Sequence, residues 1–90
     1  MSLATIDSLS FSFAIEGFRL SDQVNNSSDA DIIYYGYLNK IGEWYILKWD
    51  TTAGSNGLQT YRFAKGTSGY TTNFANREIL SYDTFAEIFK

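Results

Sequence analysis

The sequence predicts one mainly β domain over residues 1–90: a small antiparallel β-sandwich or barrel-like sheet, with a central aromatic hairpin and a short C-terminal helix. Three observations predict it. Apolar residues alternate with polar ones at period two in several short stretches. Polar, Gly-containing segments punctuate those stretches. Helical three- and four-residue spacing emerges only after Asn76.

The first stretch places Leu9, Phe11, Phe13 and Ile15 on one side of a strand, with Ser8, Ser10, Ser12, Ala14 and Glu16 on the other. Gly17 then interrupts, and Phe18 and Leu20 continue the apolar set on even positions, which reads as a β-bulge or a strand end. Ser21 to Ala30 is polar and turn-prone and is expected to be a loop.

Asp31 to Asp50 is the hairpin. Ile32 to Leu38 and Glu43 to Trp49 are β-branched and aromatic, and Asn39-Lys40-Ile41-Gly42 between them is a turn signal. Trp44 and Ile46 point one way, while Tyr45, Leu47 and Trp49 point the other, so both faces of the returning strand are apolar. Thr51 to Gly57 is a second loop, followed by a strand over Leu58 to Ala64. Lys65 to Gly69 turns the chain, and Tyr70 to Phe74 is expected as a short strand or extended loop. Ser81 or Asp83 caps the last element, a short helix whose Tyr82-Phe85-Phe89 face packs on the sheet.

Composition narrows the function. Ninety residues support one core, because a chain this short buries only roughly 60% of the surface its unfolded form exposes. With 18% aromatic residues (seven Phe, seven Tyr, two Trp), the surplus rings point either to an interface or to half-exposed tyrosines. The absence of His and Cys removes the usual zinc ligands, the neutral-pH base and any disulfide, so catalysis, metal and cofactor are not expected. A net charge of −3 and a pI near 4.6 argue against a nucleic-acid partner. No run is long and apolar enough for a membrane helix, and no basic-then-apolar leader is evident at the start.

Individual residues suggest chemistry that a plainer reading accounts for. Asp22, Asp29 and Asp31 with Asn25 and Asn26 offer oxygen ligands for Ca²⁺, but their spacing fits no calcium loop and a solvated acidic loop explains them. Asn26-Ser27-Ser28 is a formal glycosylation acceptor. Lys48 and Arg62 sit among aromatic neighbours, either stacking on them or serving an interface. The candidate interface is Tyr35, Tyr37, Tyr45, Leu47, Trp49 and Arg62. The alternative is a glycan-stacking platform of Trp44, Tyr45 and Trp49.

Tyr35-Gly36-Tyr37-Leu38, Gly42-Glu43-Trp44-Tyr45-Ile46, Tyr61-Arg62-Phe63-Ala64-Lys65-Gly66, Thr72-Asn73-Phe74 with Asn76-Arg77, and Tyr82-Asp83 with Phe85 resemble a group of small proteins encoded by tailed bacteriophages. The resemblance runs from about Tyr34 to Phe89 and brings no site residues with it. It implies a phage gene product, made in the host cytoplasm and built into the virion as a tail, collar, fibre-associated or capsid-decorating subunit. Its partners would be copies of itself or other virion proteins. Alternatives are a glycan-binding module for host-surface recognition and a non-virion phage protein that binds a host factor.

Overall fold

The computed structural model describes residues 15–26, 29–52 and 57–90, which form one antiparallel sheet with short helices against it. The strands are β1 (Arg19–Asn26), β2 (Asp29–Leu38), β3 (Trp44–Asp50) and β4 (Thr60–Gly66), in spatial order β1-β2-β3-β4. The fold is mainly β, as the alternation predicts. Among the described residues there is one open sheet, neither closed into a barrel nor faced by a second sheet.

The hairpin is the centre of the molecule. Its turn is organised by one side chain: Asn39 Oδ1 accepts from the Ile41 and Glu43 N–H groups at 3.1 and 2.9 Å, and Asn39 Nδ2 donates to Glu43 Oε1 at 2.7 Å. That arrangement makes the turn and sets the register, which pairs Tyr37 with Tyr45, Tyr35 with Leu47 and Ile33 with Trp49. On β3, Tyr45, Ile46 and Leu47 are successive and all 0% exposed. Successive strand residues point to opposite faces, so both faces of the sheet are covered at its middle.

One face carries Tyr34, Trp44, Ile46 and Ala64, and Tyr70, Phe74, Leu80 and Tyr82 from beyond β4 pack on it. We call it the lid face. The other carries Tyr37, Tyr45, Leu47 and Phe63, against which Ile15, Phe18, Ile88 and Phe89 pack. We call it the helix face. Burying each such large side chain is worth about 1.5–3 kcal/mol over leaving it in water, which is what a chain without disulfides relies on.

A single chain segment supplies most of both covers. After β4, α1 (Tyr70–Ala75) and a 3-10 turn (Arg77–Ile79) lie over the lid face. Asp83 then runs along the outer edge of β4, exchanging two backbone hydrogen bonds with Phe63 at 2.7 and 2.9 Å. That bridge occupies part of an edge that would otherwise present unpaired backbone groups. Past it, α2 (Phe85–Ile88) settles on the helix face, with Phe85 and Phe89 edge-on to Phe63 at 5.4 and 5.6 Å.

Several expectations need correction. Ser21 to Ala30 is not a loop: most of it is β1 and the start of β2, and its polar residues suit an edge strand whose Ser21, Asp22, Gln23 and Asn25 are exposed. Gly17 marks a turn, with the Phe18 N–H donating to Ile15 O at 2.9 Å, and the register shifts lie instead between Leu20 and Asp22 and between Asn25 and Asn26. The strand read from Leu58 begins at Thr60 and runs to Gly66. Tyr70 to Phe74 is helical, launched by Gly69 in the left-handed region at φ 73°, a conformation that side chains rarely adopt.

The C-terminal helix spans only four residues and is capped by Thr84, whose Oγ1 accepts from the Glu87 N–H at 3.3 Å, not by Ser81 or Asp83. Tyr82 does not share a face with Phe85 and Phe89, because the edge crossing at Asp83 puts them on opposite sides of the sheet. The strand expected over Leu9 to Ile15 and the glycosylation pattern at Asn26-Ser27-Ser28 lie largely outside the described residues, as does the middle of the Thr51–Gly57 loop.

Candidate functional site

The register decides which aromatic residues belong to the core. On the helix face, three cross-strand rows follow one another: Tyr37 with Tyr45 and Lys65, then Tyr35 with Leu47 and Phe63, then Ile33 with Trp49 and Tyr61. In the first two rows, Tyr45 and Phe63 lie under Phe18, Phe85 and Phe89. Tyr45 stacks on Tyr37 at 4.5 Å and meets Phe18 and Phe89 edge-on at 5.1 and 5.4 Å. Its hydroxyl accepts a hydrogen bond from the Ile15 N–H at 2.9 Å. Burial, with Tyr35 nearby as a lesser cause, pushes the Tyr37 phenol up to about 12. Burial likewise raises Tyr45, against the opposing pull of the Ile15 hydrogen bond.

These facts correct the sequence-derived interface. Tyr37, Tyr45 and Leu47 are 2%, 0% and 0% exposed, so their cover comes from this chain and not from a partner. The glycan platform is corrected in the same way: Trp44 and Tyr45 are buried, the former with its indole N–H donating to Ser68 O at 2.6 Å. Trp49 alone of that trio keeps a half-exposed ring.

What remains on the surface is a row of three half-buried rings at the far end of the helix face. Tyr35 and Trp49 lie 6.4 Å apart at 25°, and Trp49 and Tyr61 lie 5.8 Å apart at 16°, so the rings run nearly parallel across β2, β3 and β4. The row exists because Trp49 is directly paired with Tyr61, while Tyr35 sits on the diagonal within reach of the indole. Trp49 Nε1 donates to Gln59 Oε1 at 3.0 Å, fixing the indole orientation. Ile33, also half-buried, continues the row on β2. A flat, pre-ordered aromatic strip costs little side-chain entropy to bury, which suits it to contact with another surface. Tyr61 was missed at the sequence level. Its alternation with Phe63 on the last strand was visible, but its pairing with Trp49 was not.

Arg62 lies on the opposite face from this row, paired directly with Lys48. Its Nη1 donates to Tyr61 O at 3.1 Å. Lys48 does stack on an aromatic ring, though not on a sequence neighbour: its Nζ lies 5.5 Å from the Tyr82 centroid. Arg77, which sequence reasoning passed over, lies 5.7 Å above Tyr34 and 5.3 Å above Phe74.

Of the acidic cluster read as a possible calcium loop, Asp22 lies on β1 and Asp31 on β2, while the side chains of Asn26 and Asp29 lie outside the described residues. Asp22 Oδ2 accepts from the Tyr70 hydroxyl at 2.7 Å and from Ser21 Oγ at 3.1 Å, tying the edge strand to α1. Among the described residues, no three acidic side chains gather as a metal site would require. An open groove of about 490 Å³ is lined by Ile15, Phe18, Glu43, Trp44, Lys65 and Phe89.

No protein-family model, no curated protein and no solved structure matches this chain.

Proposed function

We propose that this protein works by protein–protein assembly, as a structural subunit of a bacteriophage particle, with copies of itself or other virion proteins as partners. The observation that carries the assembly reading is the half-buried, stacked row of Tyr35, Trp49 and Tyr61. Aromatic rings held flat on a rigid sheet are the residues that dominate protein interfaces when a partner finishes burying them. The particle setting, whether tail, collar, fibre-associated or capsid-decorating, is supported by the resemblance running from about Tyr34 to Phe89.

Mass spectrometry of purified particles of the encoding phage tests this reading. The protein is expected at a copy number matching a symmetric ring or lattice, and a Trp49→Ala subunit is expected to be depleted from particles. Particles that lack the protein overturn the structural role. The competing glycan reading draws on the same rings, since a flat aromatic strip with the Gln59 amide at its edge also suits a sugar ring. Binding of host-surface polysaccharide that Trp49→Ala abolishes, together with absence from the particle, would put that reading in its place.

A further inference from the structure

The two outer edges of the sheet are treated differently. Asp31 O accepts from the Thr51 N–H at 2.7 Å and the Asn39 N–H donates to Glu43 O at 3.0 Å, so the odd-numbered residues of β2 turn their backbone groups toward β3. Tyr34 and Gly36 therefore turn theirs toward β1, where they meet Val24 and Asp22. By the same alternation Gln23 and Asn25 face outward from β1, while Tyr61, Phe63 and Lys65 face outward from β4.

On β4 these positions are guarded. Phe63 exchanges its outward hydrogen bonds with Asp83, Tyr61 O accepts from Arg62 Nη1 at 3.1 Å, and Lys65 sets a charge beside the edge. β1 has no such device at Gln23 and Asn25. Among the described residues no strand or bridge pairs with its outer side. Its two register shifts, between Leu20 and Asp22 and between Asn25 and Asn26, fall at the ends of a regular stretch, Asp22 to Asn25, and do not interrupt it.

The side chains of that stretch suit a second copy of the same strand. Gln23, Val24 and Asn25 are uncharged in a chain of net charge −3, so two copies can meet here without opposing like charges. With Val24 opposite Val24 of the second copy in antiparallel pairing, Gln23 of each chain exchanges backbone hydrogen bonds with Asn25 of the other. The exposed Gln23 and Asn25 amides share the helix face with Tyr35 and Ile33, and each amide carries both donors and an acceptor for its counterpart. Val24 is half-buried against the lid-face core and gains an apolar neighbour in the second Val24. Asp22 falls out of register with its counterpart, and its Oδ2 already accepts from the Tyr70 hydroxyl at 2.7 Å.

We propose that β1 pairs antiparallel with β1 of a second copy across a two-fold axis, joining two four-stranded sheets into one continuous sheet. The proposal rests on the reading that this chain works by assembly, and it names a contact separate from the Tyr35–Trp49–Tyr61 row. With about four backbone hydrogen bonds over a small area, the isolated pair is weak, in about the millimolar range. It gains strength where many copies are held close together.

The test is an NMR concentration series on the full chain up to millimolar protein, with a mixed isotope-labelled sample for contacts between copies. Concentration-dependent shifts are expected at the Gln23, Val24 and Asn25 amides, together with an intermolecular contact between the two Val24 Hα atoms. Gln23→Lys with Asn25→Lys changes only exposed side chains and puts like charges opposite one another; it is expected to weaken pairing about tenfold. An equal mixture of that variant with Gln23→Glu, Asn25→Glu should restore it. No shifts at these amides, pairing unchanged in the lysine variant, or no rescue on mixing would overturn the proposal. Shifts confined to the Trp49 indole N–H and Tyr61 would overturn it too, while leaving the assembly reading in place. Edge pairing in a protein absent from purified particles would uphold it and remove the particle setting.

Discussion

Replacing Gly36 by Ala puts a methyl group where α1 meets β2. A Cβ at Gly36 would lie 2.8 Å from Tyr70 Cζ and 2.9 Å from Phe74 Cδ1, with the Tyr70 hydroxyl nearer still. None of these is a loose chain end, because Tyr70 is buried and its hydroxyl is held by Asp22 at 2.7 Å. Overpacking of this kind costs about 1–3 kcal/mol. Displacing the Tyr70 hydroxyl adds about 1 kcal/mol for a hydrogen bond to an exposed carboxylate, and the better strand propensity of Ala returns roughly 0.5–1 kcal/mol. The expected net loss is about 2 kcal/mol. Urea unfolding followed by tryptophan fluorescence measures it, and for a domain of this size Tm should fall by roughly 8–16 °C. A double-mutant cycle with Tyr70→Phe sharpens the test. Removing the hydroxyl takes away the closest overlap, so Gly36→Ala should cost about 1 kcal/mol less in that background. A Gly36→Ala protein as stable as the native one, or strict additivity with Tyr70→Phe, would refute this packing of α1 on the sheet.

Alanine substitutions should separate the buried from the presented aromatic residues: Tyr45→Ala is expected to cost about 3–5 kcal/mol, whereas Trp49→Ala should cost clearly less and act mainly on association, as read by light scattering over a concentration series. Equal effects of the two on stability would count against assigning Trp49 to the surface row. Stability should also fall in alkali: the Tyr37 phenol is raised from 10.0 to about 12, and burial raises Tyr45, Tyr70 and Tyr82 as well. Below the unfolded value of 10.0 both states keep these protons, so stability is flat; from there up to about 12 only the unfolded chain ionises Tyr37, and stability is lost. Urea midpoints across that range, with tyrosinate absorbance as the second readout, check it; midpoints independent of pH above the unfolded value would contradict the burial of these phenols.

The hairpin was legible because its signals are local. Asn39 to Gly42 carries its own turn chemistry, and the aromatic and β-branched residues on either side state their period without help from elsewhere. β1 was not legible. As an edge strand with exposed Ser21, Asp22, Gln23 and Asn25, it is held to β2 by backbone groups that every sequence possesses, and it has little apolar period to display. α1 was missed for a different reason. Six residues are too few to show a helical period, and beyond the local start at Gly69 this helix rests on Tyr70 fitting over Gly36 and on the Asp22 hydrogen bond, both of them contacts to distant strands.

The same division holds for the candidate site. Tyr35 and Trp49 could be picked from the sequence as interface residues, yet nothing local distinguishes them from Tyr37, Tyr45 and Leu47, which share the hairpin and its composition. Only the path of the last segment separates them. By passing round the edge of β4 at Asp83, it spends Tyr70, Phe74 and Tyr82 on one face and Phe85 and Phe89 on the other, and the short α2 reaches Phe63 and Tyr45 at one end of the helix face. The sequence by itself determined that this is a β-rich chain built on a hairpin with two apolar faces, because a period of two is written residue by residue. Which rings are core, which are presented, and which cations meet across β3 and β4 was decided by tertiary structure alone, because cover and register are relations between segments far apart in the chain.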